Sequence, residues 1–340
     1  MDLSLTRRED RRLDALIRLE RKIMHRKKLS SEFRGMLCCL LVVLLWGIQP
    51  FFMKVALMEF DSFTISWFRL FTAFVLLVLM SHRKFIASLR KAQPHALGLA
   101  ITGICLGINY YCFMRGVELG GPLTAAVTIQ IGPVLLALLG VLIFRERLAF
   151  VQVFGVMIAA VGFSMFFEER MSFASGGFQS DAIVMVAISA LFWVGFCLGQ
   201  KMLGACAGVN MVNLAAYLSA SLILLPFIVL PESHQLMSTS FLAMLYLSFS
   251  TVVAYWALGE AIRLIPISIV SVCIITNPIV TVLVVELFRW CGNDFFEPHP
   301  LSGRGYVGTA IALIGVMATV VKWSTLRESL KRSTHIREAR

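Results

Sequence analysis

The chain has 340 residues, of which 58% are hydrophobic and only 15% are charged, and its mean hydropathy is +0.81. Soluble domains contain about 45–50% apolar and about 25% charged residues, so this composition argues against an ordinary soluble fold. The net charge is +11, but the basic excess lies in the two tails beside apolar runs, which indicates membrane topology and anionic lipid as a partner rather than nucleic acid.

Apolar runs separated by short polar gaps occupy most of the chain. Each run is about 19–22 residues long, the length that an α-helix needs to cross a hydrocarbon core about 30 Å thick. The sequence therefore predicts an all-α integral membrane protein with ten transmembrane helices. Their predicted ranges are 36–57, 63–81, 95–114, 123–144, 148–167, 182–200, 211–230, 241–260, 267–288 and 304–322.

Lysine and arginine are distributed unevenly between the two ends of these helices. With the N-terminus placed in the cytoplasm, 25 of the 31 lie on the cytoplasmic side, 4 lie on the opposite side, and Lys54 and Arg69 lie within or near spans. Short loops rich in lysine and arginine remain in the cytoplasm, so both termini are predicted to be cytoplasmic. The expected location is the bacterial inner membrane.

The predicted helices divide the chain into five parts. A basic cytoplasmic extension covers residues 1–35, and a basic cytoplasmic tail covers residues 323–340. Between them lie two sets of five helices, at 36–167 and 181–322, joined by a periplasmic linker at 168–180.

The two sets of helices share features in the same order. A tryptophan precedes a lysine by eight residues, a tyrosine precedes a proline by 23 residues, and two glycines lie seven residues apart. The pairs are Trp46–Lys54 with Trp193–Lys201, Tyr110–Pro133 with Tyr255–Pro278, and Gly155–Gly162 with Gly308–Gly315. This order argues for a duplication. Because five helices per repeat is an odd number, the repeats are predicted to be inverted, as in many secondary transporters.

Several of these motifs resemble those of the drug/metabolite transporter superfamily, specifically its EamA-type ten-helix branch. The matching segments are Leu-Trp-Gly-Ile-Gln-Pro at 45–50 followed by Lys54, the arginine Arg69 early in the second helix, Pro133 with the Glu-Arg-Leu turn at 146–148, and the glycines Gly155 and Gly162.

The resemblance covers roughly residues 36–322 and is stronger in the first half. The second half departs from the family pattern at Cys291, where the family usually has glutamate. The family carries amino acids, other metabolites, nucleotide derivatives and xenobiotics, and includes both importers and exporters. The resemblance therefore implies carrier function and leaves the substrate open.

Aromatic side chains at repeat-related positions are the main candidates for substrate contact. The predicted substrate-binding residues are Trp46, Gln49, Tyr110, Trp193, Tyr255 and Asn277. Inverted repeats bring equivalent residues to the interface where substrate binds, and aromatic rings can stack on planar or cationic groups. An interfacial aromatic belt is the alternative for the rings, and packing between helices is the alternative for the amides.

Two charges and three prolines complete the candidate set. Lys54 and Arg69 are predicted to attract an anionic group or stabilise a gate, and the alternative is that they extend toward the interface. Pro50, Pro133 and Pro278 each remove a backbone donor. They are predicted to break helices and direct carbonyls toward a cavity, unless they form static kinks.

Catalytic and cofactor signals are missing from the sequence pattern. The six histidines fall in tails or gaps, the cysteines lack metal-ligand spacing, and no glycine-rich phosphate loop or catalytic set stands out. We therefore expect neither enzyme activity nor a cofactor or metal, with a small molecule and membrane lipid as partners and the oligomeric state open.

The predicted function is secondary transport of a small polar metabolite by alternating access. An amino acid or amino-acid derivative is the preferred substrate. A carrier or exchanger for S-adenosylmethionine or a nucleotide derivative is one alternative. A membrane-embedded receptor or scaffold without transport is another.

Overall fold

The computed structural model describes residues 32–81, 93–132, 134–135, 150–172, 178–264, 273–292 and 301–320. Most of the predicted N-terminal extension, Pro133, the Glu-Arg-Leu turn and the C-terminal tail lie outside the described residues.

The described part of the chain is helical and contains no strand. The helices are α1 Glu32–Ala56, α2 Ser62–Ser81, α3 Ala96–Thr128, α4 Phe150–Ser172, α5 Phe178–Ala207, α6 Val209–Leu224, α7 Thr239–Leu264, α8 Asn277–Trp290 and α9 Gly303–Val320. Within the described ranges, seven stretches are long and apolar enough to cross a membrane. The prediction of an all-α membrane protein is confirmed, whereas the count of ten helices stays a prediction.

Helix α3 runs through the gap predicted between the third and fourth spans. It has a sharp break in its backbone there, but no loop. Gly121, near the C-terminal end of the range Ala96–Thr128, has φ 79° and ψ 171°. A left-handed φ of this kind is accessible to glycine at little cost, and Pro122 then restarts the helix with a φ that is already helical. The third predicted span is therefore longer than 95–114, because helical residues continue through most of the predicted gap.

Two further interruptions of the helices occur, one in each half of the chain. A turn at Ile129 and Gln130 ends α3, and helical residues resume at 131–132. In the other half, a turn at Thr276 separates helical residues 273–275 from α8, and Pro278 lies in the first turn of α8. The break predicted at Pro50 is wrong, since α1 runs through it without interruption. A proline inside a helix removes one donor, and packing around the buried Pro50 keeps the helical path.

Helices α4 and α9 are joined by close contacts between glycines and alanines. A Cβ added to Gly162 would lie 2.1 Å from the Ala312 nitrogen, and one added to Gly315 would lie 2.2 Å from the Ala159 nitrogen. The contact is reciprocal, with a glycine of each helix facing an alanine of the other. Small residues let the two backbones approach closely in a membrane, where packing drives helix association.

Charged side chains pair at helix ends. Arg115 lies 2.6 Å from Glu118, Arg289 lies 3.0 Å from Glu286, and Arg304 lies 2.8 Å from Glu168. These three arginines are among the four assigned to the side opposite the cytoplasm. Each has an acidic partner, so they add little net positive charge to that side.

The buried Glu169, at the end of α4, binds the start of α9. Its carboxylate accepts hydrogen bonds from the Ser302 backbone nitrogen and hydroxyl, both at 2.6 Å. Ser302 directly precedes α9, whose first backbone N–H groups have no helical partner, so a carboxylate there satisfies a donor and interacts favourably with the helix dipole. This contact fixes the end of the α4–α9 pair.

Candidate binding cavity

A cavity of about 130 Å³ lies between helices from both halves of the chain. Residues from α1, α2, α3, α5, α7 and α8 reach it, together with residues of the two interruptions. Its lining consists of Trp46, Gln49, Met53, Arg69, Asn109, Tyr110, Phe113, Ile129, Gln130, Trp193, Tyr255, Ile274 and Asn277.

All six residues predicted to bind substrate line this one cavity, and so does Arg69. Lys54 is half-buried and does not belong to the lining. That the lining binds substrate stays a prediction. The sequence did not point to the apolar members of the lining, because apolar residues inside apolar spans carry no distinguishing signal. These members are Met53, Phe113, Ile129 and Ile274.

Arg69 is the charged member of the lining among the described residues. Its side chain is only 3% exposed. Its Nε and Nη2 atoms donate to the Thr251 hydroxyl at 3.3 and 3.2 Å, and its guanidinium carbon lies 4.7 Å from the centre of the Tyr110 ring. The ion pairs among the described residues involve other cations. Within the described part of the chain, Arg69 therefore has a hydroxyl and a ring as partners, but no carboxylate.

Two of the four amide side chains have their nitrogens satisfied across helices. Asn109 donates from Nδ2 to the Ser189 carbonyl at 3.0 Å and to the Ser189 hydroxyl at 2.8 Å. Gln130 donates from Nε2 to Asn277 Oδ1 at 3.1 Å. The second bond links the two interruptions, so the two halves of the chain meet directly at the cavity.

Gln49 differs from the other amides. It is 7% exposed, and its Nε2 atom is buried without a hydrogen-bond partner among the described residues. A buried donor without an acceptor costs about 1–3 kcal/mol, so natural proteins rarely leave one. Because Gln49 lines the cavity, this donor is placed where a bound molecule could accept from it.

Aromatic rings form part of the cavity wall, and some of them pack edge to face against one another. Trp46 and Tyr255 have ring centres 5.9 Å apart at 66°, and Tyr217 lies behind Tyr255 at 6.1 Å and 73°. Trp193 packs over Gly132, where an added Cβ would meet its ring at 3.1 Å. Edge-to-face pairs of this kind hold rings in defined orientations. The faces of Trp46 and Trp193 are therefore positioned by neighbours rather than by lipid.

Helix α1 approaches the second interruption closely. A Cβ on Gly47 would lie 2.9 Å from the Asn277 carbonyl oxygen and 2.5 Å from the Val280 side chain, and the Thr281 hydroxyl donates to the Gly47 carbonyl at 2.8 Å. This contact joins the first half to the second close to Gln49 and Asn277, which line the same cavity.

The fold and this cavity define a polytopic membrane protein with an internal polar site. Residues 33–167 match the EamA-like transporter family. A Haemophilus influenzae protein described as an uncharacterized transporter is 25% identical over 289 residues, which cover 84% of this chain and 94% of that protein. The chain is therefore similar to EamA-like transporters over residues 33–167, and to a bacterial transporter over most of its length.

Two further comparisons show similarity over most of the chain, one in sequence and one in fold. The Escherichia coli K12 protein described as the uncharacterized inner membrane transporter YhbE is 24% identical over 302 residues, covering 86% of this chain and 94% of its own length. A crystal structure superposes with a TM-score of 0.58 at 15% identity, covering 84% of this chain and 95% of that one. The latter likeness concerns the fold alone.

Proposed function

We propose that the protein is a secondary transporter that carries a small polar metabolite, with an amino acid or amino-acid derivative as the preferred substrate, across a bacterial inner membrane. The observation that carries this proposal is a cavity built from both halves of the chain. It joins aromatic rings, amides and one buried cation. The inner membrane is supported by the similarity to YhbE.

The size of the cavity favours a small substrate. Sites for drug-sized ligands enclose about 300–1,000 Å³, whereas this cavity encloses about 130 Å³. An amino acid is closer to this size than a nucleotide derivative or S-adenosylmethionine is. The preferred substrate class therefore agrees with the available space.

Alternating access between two inverted repeats is the proposed mechanism. The reciprocal contact between α4 and α9 supports it, because a two-fold axis relating the repeats would pair each glycine with the equivalent alanine of the other helix. The bond between Gln130 and Asn277 supports it as well, since it joins the two interruptions beside the cavity. Rocking of one repeat against the other would expose the cavity to each side in turn.

The experiment that tests the proposed function is flux through the purified full chain in liposomes. Each labelled L-amino acid is presented outside vesicles that are either empty or loaded with the unlabelled amino acids. We expect uptake of at least one amino acid above protein-free vesicles, and faster uptake into loaded vesicles if the carrier exchanges. Binding without flux would instead support a receptor, and chemical turnover without flux would support an enzyme.

Topology provides a separate prediction. The charge bias predicts that both termini and residues 82–94 lie in the cytoplasm, and that residues 168–180 lie in the periplasm. Reporter fusions after these positions, one active only in the cytoplasm and one only in the periplasm, should give opposite signals for the two segments. A periplasmic signal from residues 82–94 would contradict the orientation.

A further inference from the structure

We propose that Arg69 and Gln49 form an anion subsite that binds one carboxylate of the transported molecule. This inference rests on the proposed function and names the substrate class as monocarboxylates, with α-amino acids among them. Both residues line the same cavity, from α2 and α1, and both are more than nine-tenths buried.

Arg69 has more hydrogen-bonding capacity than the protein uses. A guanidinium carries five N–H donors. Two nitrogens of Arg69 donate to the Thr251 hydroxyl, and the other side-chain partner is Tyr110, so both partners are neutral. The Tyr110 ring stabilises the cation further. Neither partner carries a negative charge, and a buried cation is disfavoured unless it is paired. A carboxylate entering the cavity would supply both the missing charge and two acceptor oxygens, in the fork geometry that arginine binds well.

Gln49 independently points to an acceptor on the ligand. Its Nε2 donor is buried and has no partner among the described residues. A carboxylate oxygen of the ligand could accept a hydrogen bond from this amide nitrogen. The amide is neutral, so it adds a donor to the site but no charge. The two observations, one on a cation and one on a neutral donor, call for the same kind of ligand atom.

The charge of the lining limits the ligand to one negative charge. Among the described residues of the lining, Arg69 is the charged one, and the others are amides, aromatic rings and apolar side chains. One cation balances one carboxylate, whereas a phosphate or diphosphate would bring excess negative charge into a site of low dielectric constant. The subsite therefore favours monocarboxylates over nucleotide derivatives.

The rest of the cavity suits the other end of an amino acid. The rings of Trp46, Trp193 and Tyr255 can interact with an ammonium group, and the amide oxygens near Asn277 can accept from it. An amino acid with one carboxylate and one ammonium group is neutral overall. Its carboxylate would bind Arg69 and Gln49, and its ammonium group would contact the aromatic rings. The ammonium group is an additional element, since the subsite itself requires only the carboxylate.

The test compares each acid with its own uncharged amide. Binding to the purified full chain is measured by thermal stabilisation and calorimetry, with the proteinogenic L-amino acids and simple monocarboxylates such as lactate and benzoate, each beside its carboxamide. A charge-assisted hydrogen bond is typically stronger than a neutral one, so the best-bound acid should bind about tenfold to a hundredfold more tightly than its amide. In Arg69→Met this preference should disappear, and in Gln49→Leu it should shrink.

A ligand-free measurement keeps the test independent of folding defects. If Arg69 is an unpaired buried cation, Arg69→Met should retain or raise the thermal transition of the empty protein, because removing such a charge relieves a desolvation cost. The matched control is Arg115→Met on α3, outside the cavity lining, which should leave the preference for acid over amide unchanged.

The outcomes separate the subsite from the proposed function. Equal binding of acid and amide to the unaltered protein, or a marked fall in the thermal transition of the empty Arg69→Met variant, would overturn the subsite and leave a carrier in place. Flux of uncharged or cationic solutes alone would do the same. If no acid of the panel is bound, the monocarboxylate class is wrong. If in addition no solute crosses the vesicle membrane, the proposed function fails with it.

Discussion

Replacing Gly162 with alanine is expected to destabilise the protein strongly. The new Cβ would lie 2.1 Å from the Ala312 nitrogen and 2.6 Å from its Cα, both of them backbone atoms that cannot rotate away. Helices α4 and α9 would have to separate, and overpacking of this kind costs about 1–3 kcal/mol or more. The measurement is the thermal transition of the purified protein in detergent, followed by size-exclusion chromatography.

Alanine at Gly303, in the same helix pair, is the matched control. A Cβ there meets nothing within 4 Å, so the substitution should leave the transition nearly unchanged. Gly315→Ala should reproduce the defect, because its Cβ would lie 2.2 Å from the Ala159 nitrogen. Equal transitions for Gly162→Ala and Gly303→Ala would show that the two helices are not in close contact.

Truncating Trp193 to alanine is expected to weaken binding of a carried amino acid by about 0.5–2 kcal/mol, the range of a contact between an aromatic ring and an ammonium group. Trp193 lines the cavity and packs over Gly132. A second variant, Trp193→Phe, preserves most of the packing and should lose less. The affinity of the best ligand from the liposome screen is measured by calorimetry on each variant.

Trp256 supplies the matched control for this prediction. It follows Tyr255 on α7, is 58% exposed and is not part of the cavity lining. Trp256→Ala removes the same side chain from the outer surface of the helix and should leave the ligand affinity unchanged. A loss of equal size in Trp256→Ala and Trp193→Ala would mean that the cavity ring makes no special contact with ligand.

The class of the protein could be predicted from sequence because it depends on local properties. A run of apolar residues long enough to cross the bilayer must satisfy its backbone internally, so the spans are helical wherever they pack. The candidate aromatics followed from repetition along the chain, where Trp46 and Trp193, or Tyr110 and Tyr255, occupy corresponding positions. In the structure, all four of these residues line the same cavity.

The direction in which an individual side chain points was harder to predict from the sequence. Lys54 and Arg69 carry the same charge in neighbouring helices, yet only Arg69 lines the cavity. Pro50 and Pro278 have the same backbone chemistry, yet α1 continues through Pro50 while α8 begins beside Pro278. The direction of a side chain around its helix, and the consequence of a missing donor, depend on which other helices lie alongside.

The sequence by itself determined that this protein spans the membrane as helices, and it determined which residues recur in both halves, because hydropathy, helix length and spacing are properties of contiguous residues. Only the tertiary structure decided that Arg69 meets Thr251, 182 residues away, and that Gln130 meets Asn277, 147 residues away. It also decided that the Gln49 amide nitrogen has no partner among the described residues. Such facts arise from contacts between distant helices, and the satisfaction of a buried polar atom is decided by every neighbour that surrounds it.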